Sequence, residues 1–328
     1  MVTSARRITL GALALLAALA LALTGVPTVR AAPDRDAVVV SQTQVAERQV
    51  DLAVRSEALG GETVNVRLLT PDGWEDRGRQ DRWPVLYLLH GCCGDYTSWT
   101  SATDVAHIPA LRDVLVVMPE AGDTGWYSDW WNGGAGGAPA WETFHLRELR
   151  PLLEQEYGAG QRRAVAGLSM GGLGALLYAG RHPGMFRAAA SYSGMVQPLS
   201  ESGIRWSSHF MAQYGYAPVR LWGDPMEQRE VWEQHDPLHL AKQLRTIPVY
   251  LSSGDGTPGP FDVPGSSVDT LERDFLQQNV EVAAAIESVG GDVTTDFYGA
   301  GKHNWRYWER ELHDSLPMLL DSLQVGRP

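Results

Sequence analysis

Short apolar runs alternate along this chain with longer stretches of helical period. Residues 49–54, 64–69, 85–89, 114–118, 164–166, 188–191, 249–253 and 294–298 read as strands. Several of them are almost unbroken in apolar residues, as strands covered on both faces are. Residues 141–156, 172–181, 267–289 and 305–323 read as helices between or after them. The alternation predicts an α/β fold with a mostly parallel central sheet flanked by helices. The first two strands, joined across Gly60-Gly61, read as an antiparallel hairpin.

Two segments break this rhythm. Residues 122–139 are rich in Gly and Trp, and residues 196–240 are long, polar and aromatic, with Trp206, Trp222 and Trp232. Segments of such length and aromatic content are expected either to wall a substrate cleft or to pack as insertions on the body. Gly133-Gly134-Ala135-Gly136-Gly137 lacks the strand, helix and Lys-Ser/Thr context of a phosphate loop and reads as a flexible loop.

The start of the chain has a different pattern. Arg6 and Arg7 precede the apolar run 8–26, and Val29-Arg30-Ala31 follows it. This reads as a signal peptide over residues 1–31, cleaved near Ala31 or Ala32, ahead of a single domain over residues 33–328. The competing reading is an uncleaved anchor, because the run approaches spanning length. The paired arginines leave the Sec and twin-arginine routes both open. No second long apolar segment exists, so no membrane span is expected in the mature chain.

The formal charge is −12, and loss of Arg6, Arg7 and Arg30 would leave 24 basic against 39 acidic residues, or −15. Such a surface disfavours nucleic acid and anionic membranes. A neutral or apolar partner, such as a small-molecule, lipid or glycolipid ester, fits better, and the leader points to a secreted or cell-wall location. The two cysteines, Cys92 and Cys93, are adjacent. They read as two buried small residues rather than a strained vicinal disulfide. His235 and His239 have helical metal-pair spacing, but Pro237 lies between them, so a structural role is expected. No metal or cofactor is implied.

The chemistry concentrates at Gly167-Leu168-Ser169-Met170-Gly171, which follows an apolar strand and opens a helix of small residues. That is the pattern of a nucleophile elbow. Two glycines let strand and helix approach closely, so the Ser169 hydroxyl stands exposed at the sheet edge. Serine needs a base to take its proton. His303 lies on a Gly-rich loop after the last strand, before the last helix, and is the expected base; His313, inside that helix, reads as a helix-face residue. Asp255, just after the strand at 249–253, and Glu272, near the start of the next helix, are both candidate acids. Asp262, Asp269 and Asp274 are weaker ones, and spacing does not choose between Asp255 and Glu272. The oxyanion hole needs two backbone N–H groups, expected from Met170 and from Cys92 in His90-Gly91-Cys92-Cys93-Gly94. His90 reads as structural. Trp126, Trp130 and Trp305, with Trp131, are candidate substrate-binding residues, with core packing as the competing reading.

Together these residues resemble the secreted mycolyltransferases of the antigen-85 type and the broader esterase D-like α/β-hydrolases, from about Val64 to the C-terminus. The resemblance rests on Leu86-Tyr87-Leu88-Leu89-His90-Gly91, Trp126-Tyr127-Ser128-Asp129-Trp130, the elbow, Leu271-Glu272 and His303-Asn304-Trp305-Arg306-Tyr307-Trp308. It implies Glu272 as the acid, with Asp255 as the alternative. It also exposes a departure. The family's oxyanion loop carries an Asp and an Arg that help hold trehalose, where this chain has His90-Gly91-Cys92-Cys93. The expected function is therefore a secreted serine esterase or acyltransferase working through an acyl-Ser169 intermediate. A mycolyltransferase, or a non-catalytic cell-wall binding protein on a hydrolase scaffold, are the alternatives.

Overall fold

Among the described residues, nine strands form one sheet in the order β1-β2-β3-β5-β4-β6-β7-β8-β9. They are β1 (Ala37–Ala46), β2 (Gln49–Ser56), β3 (Glu62–Leu69), β4 (Trp83–Leu89), β5 (Leu115–Pro119), β6 (Ala159–Leu168), β7 (Ala189–Tyr192), β8 (Val249–Ser252) and β9 (Val293–Asp296). The computed structural model describes Met1 and residues 37–325. The signal-peptide reading of residues 1–31 lies outside the described residues. Strands β4 to β9 pair in parallel, and β1, β2 and β3 add an antiparallel edge. This is the α/β-hydrolase arrangement that the apolar pattern predicts.

The parallel strands alternate between two cores. Val85, Tyr87 and Leu89 of β4 enter one, and Leu86 and Leu88 enter the other. The first core receives Leu173, Leu176 and Leu177 from the helix Met170–Arg181, and Phe275, Val282 and Ile286 from the helix Thr270–Ser288. The second receives Leu312, Leu316, Leu319 and Leu323 from the C-terminal helix Trp305–Leu323. Helices on both faces leave no solvated side for the middle strands, so their alternation of polar and apolar positions disappears.

The strand β1 is an addition to the expected set. Val38, Val40 and Val45 are exposed at this edge, so the strand has little of the buried face by which strands are recognised. Backbone pairing with β2 holds it there. The expected helix over 141–156 is interrupted: Trp141–Thr143 passes into a π-helical stretch, Phe144–Leu149, and then into Arg150–Glu156. Pro151 cannot donate to the carbonyl four residues earlier, which weakens regular α-helical register at this point. Residues 196–240 carry the helices Glu201–Gln213, Val219–Trp222 and Arg229–Glu233. Trp222 and Trp232 are buried against each other and His235, so much of this insertion packs onto the body. Two more of its aromatic residues, Tyr214 and Tyr216, wall a cavity described below.

Candidate active site

Strand β6 ends at Leu168 and a helix starts at Met170, so Ser169 must turn the chain in a single residue. It does so at φ 53°, ψ −118°, a conformation that side chains rarely adopt. The turn persists because its neighbours have no side chains. A Cβ on Gly167 would lie 2.3 Å from the Gly171 carbonyl oxygen, and one on Gly171 would lie 2.3 Å from that of Leu89. Ser169 N–H is tied to the Tyr192 carbonyl at 2.9 Å. Gly171→Ala is accordingly expected to destabilise the fold by at least about 1–3 kcal/mol, through backbone displacement at the elbow. A thermal melt at or above the wild-type midpoint would show that the strand and helix can separate without cost.

The elbow faces the loop after β4. A Cβ on Gly91 would lie 3.1 Å from the Ser169 Cβ, so only glycine lets this loop sit so close. His90 anchors the loop from beneath. Its Nε2 accepts from Ala121 N–H at 3.0 Å, and its Nδ1 lies 2.8 Å from the Gly91 carbonyl. These bonds place the proton on Nδ1, and the Tyr127 hydroxyl donates to the His90 carbonyl at 2.9 Å. His90 is buried and structural, as its sequence context suggests. Met170 is the first residue of its helix, where the N–H has no intrahelical acceptor.

The cysteines depart from the expected buried pair. Cys92 is half-buried and Cys93 exposed, and both are free thiols. Cys93 adopts φ 65°, in the left-handed region uncommon for a residue with a side chain.

His303 and Glu272 meet across the cleft. His303 Nδ1 lies 2.6 Å from Glu272 Oε2. The imidazole is wedged edge-to-face between Phe275 and Trp308, at centroid distances of 5.5 and 4.7 Å. Glu272 is 0% exposed, which would penalise a free carboxylate heavily. Its second oxygen is satisfied instead. Oε1 accepts from Gly254 N–H at 2.7 Å, Ser193 Oγ at 2.7 Å and Ser253 Oγ at 2.9 Å.

The other acids are engaged elsewhere. Asp255 turns onto its own loop and accepts from Thr257 N–H at 2.7 Å. Asp262 takes the Tyr307 hydroxyl and Asn304 amide, and Asp274 pairs with Arg205 and Trp206. Asp269 has a role that the sequence did not reveal. It caps the helix that carries Glu272, accepting from Leu271 and Glu272 N–H, and its other oxygen accepts from His303 N–H at 3.2 Å. One carboxylate thus fixes both the helix and the histidine loop. The Ser/Thr/Asp-x-x pattern of a cap was the only available signal.

A cleft of about 350 Å³ contains Ser169, His303, Cys92, Cys93 and Trp305 among its lining residues. The candidate tryptophans divide. Trp305 lines this cleft. Trp126 is 1% exposed and packs on Phe210 and Trp222, so it belongs to the core rather than to substrate. Trp130 lines a separate cavity of about 370 Å³ with Tyr214, Tyr216 and Arg220. Trp131 borders a third, with Gly133 and Gly136 of the glycine run. That run is tied back through Asn132 Nδ2 to the Gly136 and Ala138 carbonyls. His235 is buried against Trp222, with Nδ1 2.7 Å from the Val231 carbonyl, and burial lowers its pKa to about 4. His239 instead lies near Glu233 and Asp236.

The family described as "Putative esterase" matches residues 56–319. The chain belongs to this esterase family. Among its relatives, the diacylglycerol acyltransferase/mycolyltransferase Ag85B of Mycobacterium leprae is 30% identical over 74% of this chain and 77% of its own length. Esterase Rv1288 of Mycobacterium tuberculosis is 32% identical over 66% of this chain and 49% of its own. In fold, the esterase is similar to Mycobacterium tuberculosis MPT51, with TM-score 0.65, 24% identity and coverage of 81% of this chain and 95% of MPT51. An S-formylglutathione hydrolase of Agrobacterium tumefaciens gives TM-score 0.64 at 16% identity, covering 88% of this chain and 99% of that one. The chain is an enzyme of the carboxylic ester hydrolase and O-acyltransferase class. All residues of the cleft described above lie inside the matched esterase segment. Among the described residues, no helix is long and apolar enough to cross a membrane.

Proposed function

We propose that this esterase cleaves acyl esters through a covalent acyl-Ser169 intermediate, with His303 as base and Glu272 as its orienting acid. The observation that carries the reading is the 2.6 Å bond from His303 Nδ1 to the buried Glu272, in the same cleft as a serine on a strained elbow. Glu272 holds the imidazole with its proton on Nδ1, which leaves Nε2 free to take the Ser169 proton. Ser169 Oγ then attacks the acyl carbon. The carbonyl electrons move to oxygen, where the N–H groups of Cys92 and Met170 receive the negative charge. Collapse expels the alcohol, which leaves with the proton held by His303. A second nucleophile, deprotonated by the same imidazole, attacks the acyl-enzyme and frees Ser169.

Water is the favoured second nucleophile over trehalose. The relatives that this chain resembles place an acidic and a basic side chain on the oxyanion loop. Here His90 is buried and committed to Ala121, and Cys93 carries no charge partner for a sugar hydroxyl. Each lost hydrogen bond to a charged group costs about 1.5–3 kcal/mol, or roughly a factor of 10 or more in acceptor use. Purified protein given para-nitrophenyl esters with and without trehalose should yield mainly free acid, read by mass spectrometry. Transfer to trehalose in clear excess over hydrolysis would return the chain to the mycolyltransferase reading. A folded protein that neither turns over esters nor takes an active-site serine phosphonate would instead be a binding protein on this scaffold. The leader pattern supports export, with the domain from about residue 33 acting in the secreted or cell-wall space.

A further inference from the structure

The two cysteines stand beside Ser169, and their thiol groups have no part in the acyl chemistry. Their Sγ atoms lie 3.0 Å apart as free thiols, and both residues line the Ser169 cleft. Their settings differ. Cys93 is exposed, whereas Cys92 is half-buried against the main core, and burial with the adjoining Cys93 pushes its thiol pKa well up. Exposure and thiolate character decide which sulfur reacts first. Cys93 is therefore the sulfur that an external reagent meets, and Cys92 is the neighbour in position to resolve the product.

We propose that Cys92 and Cys93 form a modification site, a dithiol that exchanges with low-molecular-weight disulfides and, on closing to a vicinal disulfide, lowers ester turnover at Ser169. The proposal rests on the reading of Cys92 N–H as an oxyanion donor. The Cys93 thiolate attacks one sulfur of the external disulfide and releases one small thiol. The Cys92 thiolate then attacks Cys93 Sγ in the mixed disulfide and releases the second. The protein loses two electrons and two protons, and the external disulfide becomes two thiols.

Ring closure acts on the loop backbone. Consecutive α-carbons are about 3.8 Å apart, below the roughly 4.4–6.8 Å that disulfides span. The mismatch falls on the Cys92–Cys93 peptide and its flanking torsions, because the side chains alone cannot absorb it. That same backbone carries the Cys92 N–H. Its local tether is slack: Cys93 N–H reaches the Asp123 carbonyl only at 3.4 Å. On the other side, Gly91 lies packed against Leu168 and Ser169, so movement of the loop is felt at the nucleophile. Loss of a whole oxyanion donor costs about 10²–10³ in kcat, so a re-aimed donor should cost at least about tenfold. An exported protein would meet the oxidising surroundings in which such closure persists.

The test incubates the mature protein with bis(2-hydroxyethyl) disulfide, beside Cys93→Ser and Cys92→Ser variants. Each is compared with its own reduced form. Intact mass and thiol alkylation distinguish the closed ring from a mixed disulfide, and para-nitrophenyl acetate turnover and serine phosphonate labelling report the active site. Wild type should lose both thiols, fall by about tenfold or more in kcat, and recover with dithiothreitol. Neither variant should form the ring, and Cys93→Ser should keep its rate after the same treatment. A ring that forms without changing turnover, or thiols that stay alkylatable in the disulfide, would overturn the proposal. A reduced wild-type protein with no turnover and no phosphonate label would overturn the acyl-Ser169 mechanism itself, and the switch with it.

Discussion

Ser169→Ala is expected to lower kcat for para-nitrophenyl ester cleavage by about 10⁴-fold or more while the protein remains folded. The alanine keeps the Cβ and removes one oxygen, so the elbow's close contacts between Gly167, Gly171 and the Leu89 carbonyl are untouched. What disappears is the attacking atom. Binding and the two backbone donors would remain, which is why a residual rate above the uncatalysed one is expected rather than none. The measurement is steady-state turnover beside a thermal melt. Turnover within tenfold of wild type by a variant with an unchanged melt would remove Ser169 from the mechanism.

Glu272→Gln is expected to cost about 10³–10⁴-fold in kcat, with Asp255→Asn within about tenfold of wild type. The reason lies in hydrogen-bond accounting. The carboxylate accepts from His303 on one oxygen and from Gly254, Ser193 and Ser253 on the other. An amide offers one accepting oxygen and one NH₂. Whichever way it turns, its NH₂ faces donors: either the imidazole N–H or a cluster of hydroxyl and backbone donors. It can neither hold the imidazole in the required tautomer nor offset the imidazolium charge that forms during attack. The Asp255 carboxylate instead accepts from Thr257 N–H in a turn of its own, so a small effect is expected from its loss. Parallel kcat and KM measurements on the two variants decide the matter. A larger loss from Asp255→Asn would exchange their roles.

These two carboxylates also mark the limit of what the linear chain discloses. Asp255 sits directly after β8, where its spacing to His303 is as good as that of Glu272. Only the resemblance of Leu271-Glu272 and of the His303–Trp308 stretch to a known family favoured Glu272. The fold gives a physical reason. The helix Thr270–Ser288 directs its first turn inward over the end of the sheet, so Glu272 is wholly buried among donors, while Asp255 stays partly exposed in a turn of its own.

Aromatic residues were ambiguous in the same way. Trp126 and Trp305 look alike in sequence as candidate substrate contacts. Trp126 ends in the core against Phe210 and Trp222, and Trp305 lines the cleft that holds Ser169. Side-chain chemistry could not separate them, because an indole suits a packed interior and a ligand face equally. The edge strand β1 escaped for the opposite reason, since most of its positions face solvent and carry no core pattern.

What the sequence by itself determined is local or periodic. The elbow at Ser169 with its two glycines, the expectation of a structural His90 and the mostly parallel character of the sheet are all read from contiguous residues. The chain geometry of the turn and the burial of the strands on both faces make those patterns legible in the sequence. Which carboxylate meets His303, which tryptophans reach the cleft, and how far Cys92 and Cys93 are exposed were decided only by tertiary structure. Those outcomes depend on segments distant in sequence closing on the same few ångströms, and no property of either segment alone specifies that meeting.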